Sequence, residues 1–380
     1  MQAQFHHSIE EISPNAWNRL VRDENPFLKH EFHAALERNN CVGPQFGWLP
    51  RHLTVSQRGR IIGISPLYIK SNSYGEFVFD HAWAEAYQRN GLHYYPKLIS
   101  AMPYTPALGE RLLVDPEVDT TAVRYTLVTE TLRLAREMGL SSMHWLFTTG
   151  EEGELLKSAG MMERLDVQFH WENPGYGDFA DFLGALTAKR RKNIRRERRK
   201  VFDAGITFRV VHGPDVTEAE WHTFSNFYTK TFEERYSLPT LNTGFFRDIG
   251  KSLGSQVILV LAYEAEQCVA GALLYRGRSA LYGRHWGGIS NRDSLHFEAC
   301  YYQGIEYAIS HRISRFEPGA QGEHKIWRGF LPILTRSYHW IADPQFSAGI
   351  ASFLQRERQA IHEYKQSLLL HSPYSFDRER

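Results

Sequence analysis

The sequence predicts an α/β fold of two tandem domains, each a mixed central sheet covered by helices. Short β-rich runs alternate with amphipathic helical segments along the whole chain. The order hairpin, third strand, covering helix, closing strand occurs twice. Between the two occurrences, Asn173-Pro174-Gly175 is the strongest linker signal, and it divides the chain into domains of 1–172 and 173–380. With 380 residues, 42% of them hydrophobic and 13% aromatic, each domain can bury its own core.

In the first half, a capped segment Ser13–Leu20 precedes the helix NPFLKHEFHAALERNN, which turns Phe27, Phe32 and Leu36 inward. His52–Val55 and Ile61–Ile69 flank a turn at Gln57–Gly59, giving a hairpin. Tyr74–Phe79 reads as a third strand and Leu92–Leu98 as another, followed by the turn MPYTPALG. A helix from about Asp119 to Met138, the strand SSMHWLF, the helix EEGELLKSAG and the strand LDVQFHW close the half.

The second half begins with a helix over Phe179–Phe202, the strand Ile206–Val211, and helices around Glu218–Glu234 and Thr243–Lys251. Val257–Tyr263, Val269–Tyr275 and Ser279–Trp286 then form a three-strand meander. A helix capped by Asp293 or Ser294 follows, with Leu295, Ala299, Tyr302, Ile305 and Ile309 on one apolar face. The strand Ile313–Glu317 breaks at Pro318-Gly319. An amphipathic helix over about Phe346–Leu369 packs back on the body, and the tail HSPYSFDRER reads as frayed.

Totals exclude several function classes. A net charge of +1 rules out a global polycation, so any affinity for phosphate must come from a local patch. Cys41, Cys268 and Cys300 are far apart, odd in number and set among apolar residues, which fits neither zinc nor disulfides and suits a reducing compartment. No histidine pair has metal-ligand spacing. The first residues lack an apolar targeting core and no run is long enough to span a membrane, so a cytoplasmic location is expected.

Polar residues crowd the exit of the strand Ile313–Glu317: Glu317, Gln321, Glu323, His324 and Lys325. Ligands in open sheets sit near strand ends where the sheet splits or reverses, so the site is placed there. Glu317, Glu323 and His324 are candidate bases for an attacking amine. Arg284 is the expected mate of Glu298, a semi-buried carboxylate on the covering helix, while His285 and Trp286 are candidates to line an acceptor pocket. Cys300, in FEACYYQGI, reads as inert core. The PYTP turn, with Tyr104, is expected to shape a cleft wall.

Lys189–Lys200 reads KRRKNIRRERRK, nine bases in twelve residues. Leu183, Leu186, Ile194 and Val201 keep a narrow apolar stripe that leaves Arg191, Lys192, Arg195, Arg196 and Arg199 toward solvent. Guanidinium forks match phosphate oxygens, so these residues are assigned to a phosphate-bearing partner rather than to a merely solvated face.

These stretches resemble the FemABX-like branch of the GNAT (Gcn5-related N-acetyltransferase) superfamily, in particular a bacterial group labelled with peptidoglycan biosynthesis. The resemblance covers nearly the whole chain. LTAKRRKNIRRERRKVFDAGITFRV is similar to the family's basic helix and following strand, and MPYTPAL with its downstream helix and SSMHWLF stands where the family has a Pro-x-Gly-Pro turn. GEHKIWRGFLP is similar to the family's aromatic-lysine loop, with His324 in place of the aromatic and a longer spacing from Lys325 to Phe330. The resemblance implies tandem GNAT-like domains, no permanently bound cofactor, and transfer of an aminoacyl or acyl group to an amine. The donor would be an aminoacyl-tRNA or acyl-CoA, with a tRNA or a nucleotide-linked precursor as phosphate-bearing partner. Lys325 would stabilise the oxyanion. An acetyl-CoA-dependent N-acetyltransferase is the second reading, although GRHWGGISNRDSL lacks the spaced glycines of a pyrophosphate loop. A non-catalytic module binding RNA or a phospholigand is the third.

Overall fold

A computed structural model of the chain describes residues 1–289, 292–320 and 322–375. It divides into two compact units that are not the two sides of one cut at 172/173. Unit 1 comprises Met1–Arg22, Phe27–Val167 and Leu334–Tyr364; unit 2 comprises Asp23–Pro26, Gln168–Ile333 and the residues from Lys365 on. The late segment joins unit 1 for a packing reason. The helix Pro344–Leu369 sets Ile350 and Leu354 into a cluster with Trp83, Tyr87, Tyr94 and Ile341.

In unit 1 the hairpin His52–Gln57/Arg60–Ser65 lies between the strands Gln2–His6 and Leu113–Val114, all antiparallel. A second group of strands contains Trp48–Pro50, Tyr68–Lys70, Lys97–Ser100 and Ser142–Leu146. The last two run parallel, as they must when the helix Thr120–Glu137 returns the chain to the same end of the sheet. That helix closes on the hairpin at Gly63, where a Cβ would lie 2.5 Å from Val123. The core beneath is made by Leu53, Val55, Leu127, Met143 and Trp145. Residues 74–79 form no strand; the third-strand role falls to Tyr68–Lys70 and Lys97–Ser100. The loop 71–80 is held by buried charge instead. Lys97 donates to Ser73 (3.0 Å), Glu76 (2.7 Å) and Asp80, and Tyr94 donates to Asp80 at 2.6 Å.

Unit 2 carries the expected meander as Val257–Glu264, Gln267–Arg276 and Ala280–Gly288, with Ile206–His212 added antiparallel on the Val257 side. The covering helix over 295–310 follows, and Arg315–Glu317 then pairs parallel with Ala280–Gly288. The predicted stripe of Leu295, Ala299, Tyr302, Ile305 and Ile309 is buried throughout. Two features depart from the expectation. Ser294 stands at the helix start with φ 69° and makes no side-chain cap, and Glu298–Tyr302 is a turn of π-helix, a wide turn frequent at functional sites. The single helix expected over Phe179–Phe202 is two, Phe179–Ala185 and Ala188–Asp203, broken at Leu186-Thr187. The tail is not frayed up to residue 375. Tyr374 is buried, its hydroxyl donates to the Gly329 carbonyl at 2.8 Å, and it bridges to Leu186.

Candidate active site in unit 2

The strand Ala280–Gly288 positions the site through two irregularities. Its ladder with Gln267–Arg276 steps from Leu273↔His285 to Leu274↔Gly283, which leaves Arg284 as the extra, bulged residue. On its other side the parallel pairing stops at Tyr282↔Glu317, where Pro318-Gly319 turns the partner strand away. A bulge re-aims side chains and strands that part leave a gap. The gap is a cavity of about 100 Å³ lined by Ala272, Leu273, Leu274, Gly283, Arg284, His285, Trp286, His296, Cys300, Tyr301 and Pro318.

The segment GEHKIWRG borders this gap as a short 3-10 helix, Glu323–Arg328, between Gly322 and Gly329. Their φ angles of 116° and 96° lie where only glycine is unstrained. Lys325 is buried, and its Nζ donates to the Gly319 carbonyl at 2.8 Å, on the strand-exit loop. Burial pushes its pKa down to about 7, and the neighbouring Arg284 adds to the shift. Arg284 is itself pushed down to about 10 by burial, opposed by Glu317. Burial also holds His285 down to about 3 and His296 to about 4, so both imidazoles are neutral. No carboxylate lines the cavity among the described residues; Arg284 lines it, and Lys325 and Glu317 act on that guanidinium.

Tyr301, from the π-turn, lines the cavity, and its hydroxyl lies 3.0 Å from His324 Nε2. Burial, followed by Arg328 and Lys325, lowers the His324 pKa. Arg328 fixes the loop. It forks onto Glu197 (2.7 and 3.1 Å), donates to the His324 carbonyl at 2.8 Å and lies 3.4 Å over the Phe297 ring.

The residues singled out in the sequence fall into separate places. Lys325, His324, Arg284, Trp286 and His285 come together at the gap. Glu317 is buried beside it, accepting from Arg315 at 3.0 Å with His170 at 4.0 Å. Glu323 is exposed, and Gln321 lies outside the described residues. The partner of Glu298 is Arg198, not Arg284, and Gln303 also donates to it at 2.9 Å. Arg191 spends its guanidinium on the carbonyls of Leu183, Gly184 and Leu186, while Lys192, Arg195 and Arg196 stay exposed. Tyr104 belongs to unit 1, buried, with its hydroxyl on the Cys41 carbonyl at 2.7 Å. Cys300 reaches the cavity rather than a closed core, but burial pushes its thiol well up, so it is no thiolate. Gly287 lies inside a strand instead of opening a phosphate loop; a Cβ there would lie 2.2 Å from the Phe227 carbonyl oxygen.

Tyr301, His296 and Arg328 were not singled out in the sequence. The π-turn moves Tyr301 out of helical register, and periodicity carries no signal for that. Among the described residues there is no cluster able to hold a metal ion, and no helix long and apolar enough to cross a membrane.

The family model for FemAB-like proteins, described as peptidoglycan biosynthesis/recognition, matches residues 8–376. The chain belongs to the FemAB-like family. No curated protein matches the sequence. Among solved structures, FemX aligns at 12% identity over 92% of this chain and 100% of its own, with a TM-score of 0.55. The C-terminal domain of a lysylphosphatidylglycerol synthetase from Agrobacterium fabrum aligns at 12% identity over 92% of this chain and 95% of its own, TM-score 0.56. A tandem GNAT protein from the clavulanic acid biosynthesis pathway aligns at 11% identity over 90% and 99%, TM-score 0.47. The likeness to FemX and to the synthetase domain, at that identity, is one of fold. This FemAB-like chain has an α/β fold with mixed sheets and helices, shared with FemX.

Proposed function

We propose that unit 2 transfers an aminoacyl or acyl group to an amine, with the reacting carbonyl in the gap beside Arg284 and Lys325. One observation carries this reading: a buried lysine on the strand-exit loop next to a cavity lined by Arg284 and by no carboxylate among the described residues. Attack on a carbonyl builds negative charge on its oxygen, and a fixed donor in a water-poor gap is worth most at that moment. One N–H of the Lys325 ammonium is engaged by Gly319, which leaves two for the oxyanion. The attacking amine gives up a proton, for which the Tyr301 hydroxyl backed by His324 is a candidate relay. The leaving alkoxide or thiolate takes a proton back. Family membership and the FemX-like fold support aminoacyl or acyl transfer as the class.

The test is single-turnover transfer from aminoacyl-tRNA and from acyl-CoA to a panel of amines, with Lys325→Ala as the probe. Loss of one oxyanion donor costs about a hundred- to a thousandfold in turnover. Native turnover in that variant removes Lys325 from the chemistry.

A further inference from the structure

Arg284 reaches the cavity through the bulge, which sets it in the wall beside Gly283 and Pro318. Its Nη1 donates to the Gly283 carbonyl at 3.0 Å, and the guanidinium lies 5.7 Å from the Tyr282 ring. The charges around it do not balance. Burial first and Arg284 second push the Lys325 pKa down to about 7. Glu317 accepts from Arg315 at 3.0 Å while its field also falls on Arg284, and Glu172, exposed, acts on Arg315. His170, 4.0 Å from Glu317, is held down to about 4 by burial and stays neutral, as His285 and His296 do. With Lys325 protonated, three cations thus face two carboxylates among the described residues, and neither carboxylate lines the cavity. An anion placed there relieves the repulsion between buried cations, whereas a further cation adds to it. The rest of the wall includes Ala272, Leu273, Leu274 and Cys300. The space, about 100 Å³, holds a short chain, since one water takes about 10–15 Å³ on such a measure.

We propose that this cavity takes a short substrate chain bearing a carboxylate, which lies on Arg284 while the reacting carbonyl lies on Lys325. The placing of the carbonyl rests on the transferase reading; the carboxylate site stands without it. The added carboxylate brings the cluster to three charges of each sign. It also gives the two cations separate tasks, Arg284 holding the substrate and Lys325 meeting the oxyanion. The carboxylate belongs either to the acyl chain, as in a dicarboxylic monoacyl group, or to the amine that receives it, as in an amino acid. Both sources give a product amide with a carboxylate a few atoms from its carbonyl. An ammonium in the same place would make a fourth cation.

The experiment titrates small product-like amides into the full chain by ligand-observed NMR. N-methylsuccinamate carries the carboxylate on the acyl side and N-acetylglycine on the amine side. The uncharged primary amide of each is the control of equal size, and N-methyl-β-alaninamide puts an ammonium in the carboxylate's place. The expected result is that at least one acid binds about tenfold or more tightly than its primary amide, as a charge-assisted hydrogen bond requires, and that the ammonium compound binds weakest. The acid that is preferred assigns the carboxylate to the acyl chain or to the acceptor. Arg284→Gln should bring acid and amide within about twofold of each other, and Arg284→Lys, which keeps the charge without the planar fork, should keep part of the preference. Equal binding of acid and amide, binding of neither acid, an ammonium compound bound as tightly as the acids, or a preference that survives Arg284→Gln overturns the proposal. If Arg284→Gln does not fold, Arg284→Lys takes its place, and an undiminished preference there overturns it. Transfer is read separately. A chain that prefers the acid but moves no group from aminoacyl-tRNA or acyl-CoA removes the transferase and leaves the carboxylate site. One that transfers neutral acyl groups to neutral amines as fast as carboxylate-bearing ones keeps the transferase and overturns the site.

Discussion

Arg198 lies bidentate on Glu298, Nε to Oε2 at 3.0 Å and Nη2 to Oε1 at 2.9 Å, joining the basic helix to the covering helix of unit 2. The same guanidinium reaches Glu306 at 2.7 Å and lies 4.4 Å over the Phe179 ring. Glu298 is fully buried, and burial nonetheless raises its pKa against the pull of Arg198.

Removing one member of such a pair strands a buried charge. Arg198→Ala should therefore cost about 3–5 kcal/mol of stability, read by urea unfolding. Arg198→Met with Glu298→Gln should recover much of it, because the desolvation cost goes with the charges. A single variant within 0.5 kcal/mol of the native chain would place this pair among ordinary surface contacts.

Lys325 gives a pH dependence of definite sign. Its folded pKa, about 7, lies below the ordinary value of 10.5, so the cation needed at the oxyanion is lost as pH rises through about 7. Turnover should fall above that pH, and Lys325→Arg, charged throughout, should move the fall upward while restoring only part of the rate. For stability the sign is opposite. The unfolded chain keeps this proton between pH 7 and 10.5, so Lys325 contributes a gain as pH rises across that window. A rate that increases through pH 7 would make Lys325 a base instead.

Tyr301→Phe removes the hydroxyl between the cavity and His324 and little else. A loss of about a hundredfold in turnover, with substrate affinity near native, is expected for a proton relay. His324→Gln should fall by a similar factor, and the two together by no more than either alone, since both act on one proton.

In unit 1, Lys97 serves two buried carboxylates that do not share it evenly. Asp80 is held well below its usual pKa, whereas burial raises Glu76 to about 7. The Glu76 shift means that stability is fully present below the ordinary carboxylate pKa and is lost as pH rises through about 7. Glu76→Gln should thus be nearly neutral at pH 4 and relatively stabilising at pH 8. Asp80→Asn should cost about 3–5 kcal/mol at either pH. Equal costs for the two variants would contradict this division.

Most of the frame was legible from periodicity. The meander Val257–Arg276 with Ala280–Gly288 lies where its short β-rich apolar runs put it, the first two strands being buried on both faces. The site was legible only as a neighbourhood. His324 and Lys325 were marked by the Pro318-Gly319 break, but the bulge at Arg284 and the π-turn at Glu298–Tyr302 interrupt the repeats on which such reading depends. Charge density misled in the basic helix for a related reason. Composition counts Arg191 and Arg198 with their neighbours, while one hundred degrees of helical rotation per residue separates those turned inward from those left in water. The helix His81–Arg89 was missed because its apolar residues are few and its burial comes from tertiary partners such as Phe346 on Tyr87.

Because unit 1 recruits Leu334–Tyr364, its assembly on a ribosome must wait. At 5–20 residues per second, roughly ten to thirty seconds separate synthesis of Val167 from that of Leu334. Throughout that interval Trp83 and Tyr87 lack the helix that covers them, and Gly329 has no Tyr374 to receive from until the last residues emerge. A gene cut at the apparent linker would therefore leave the first fragment without the helix that covers Trp83 and Tyr87, rather than give two complete domains.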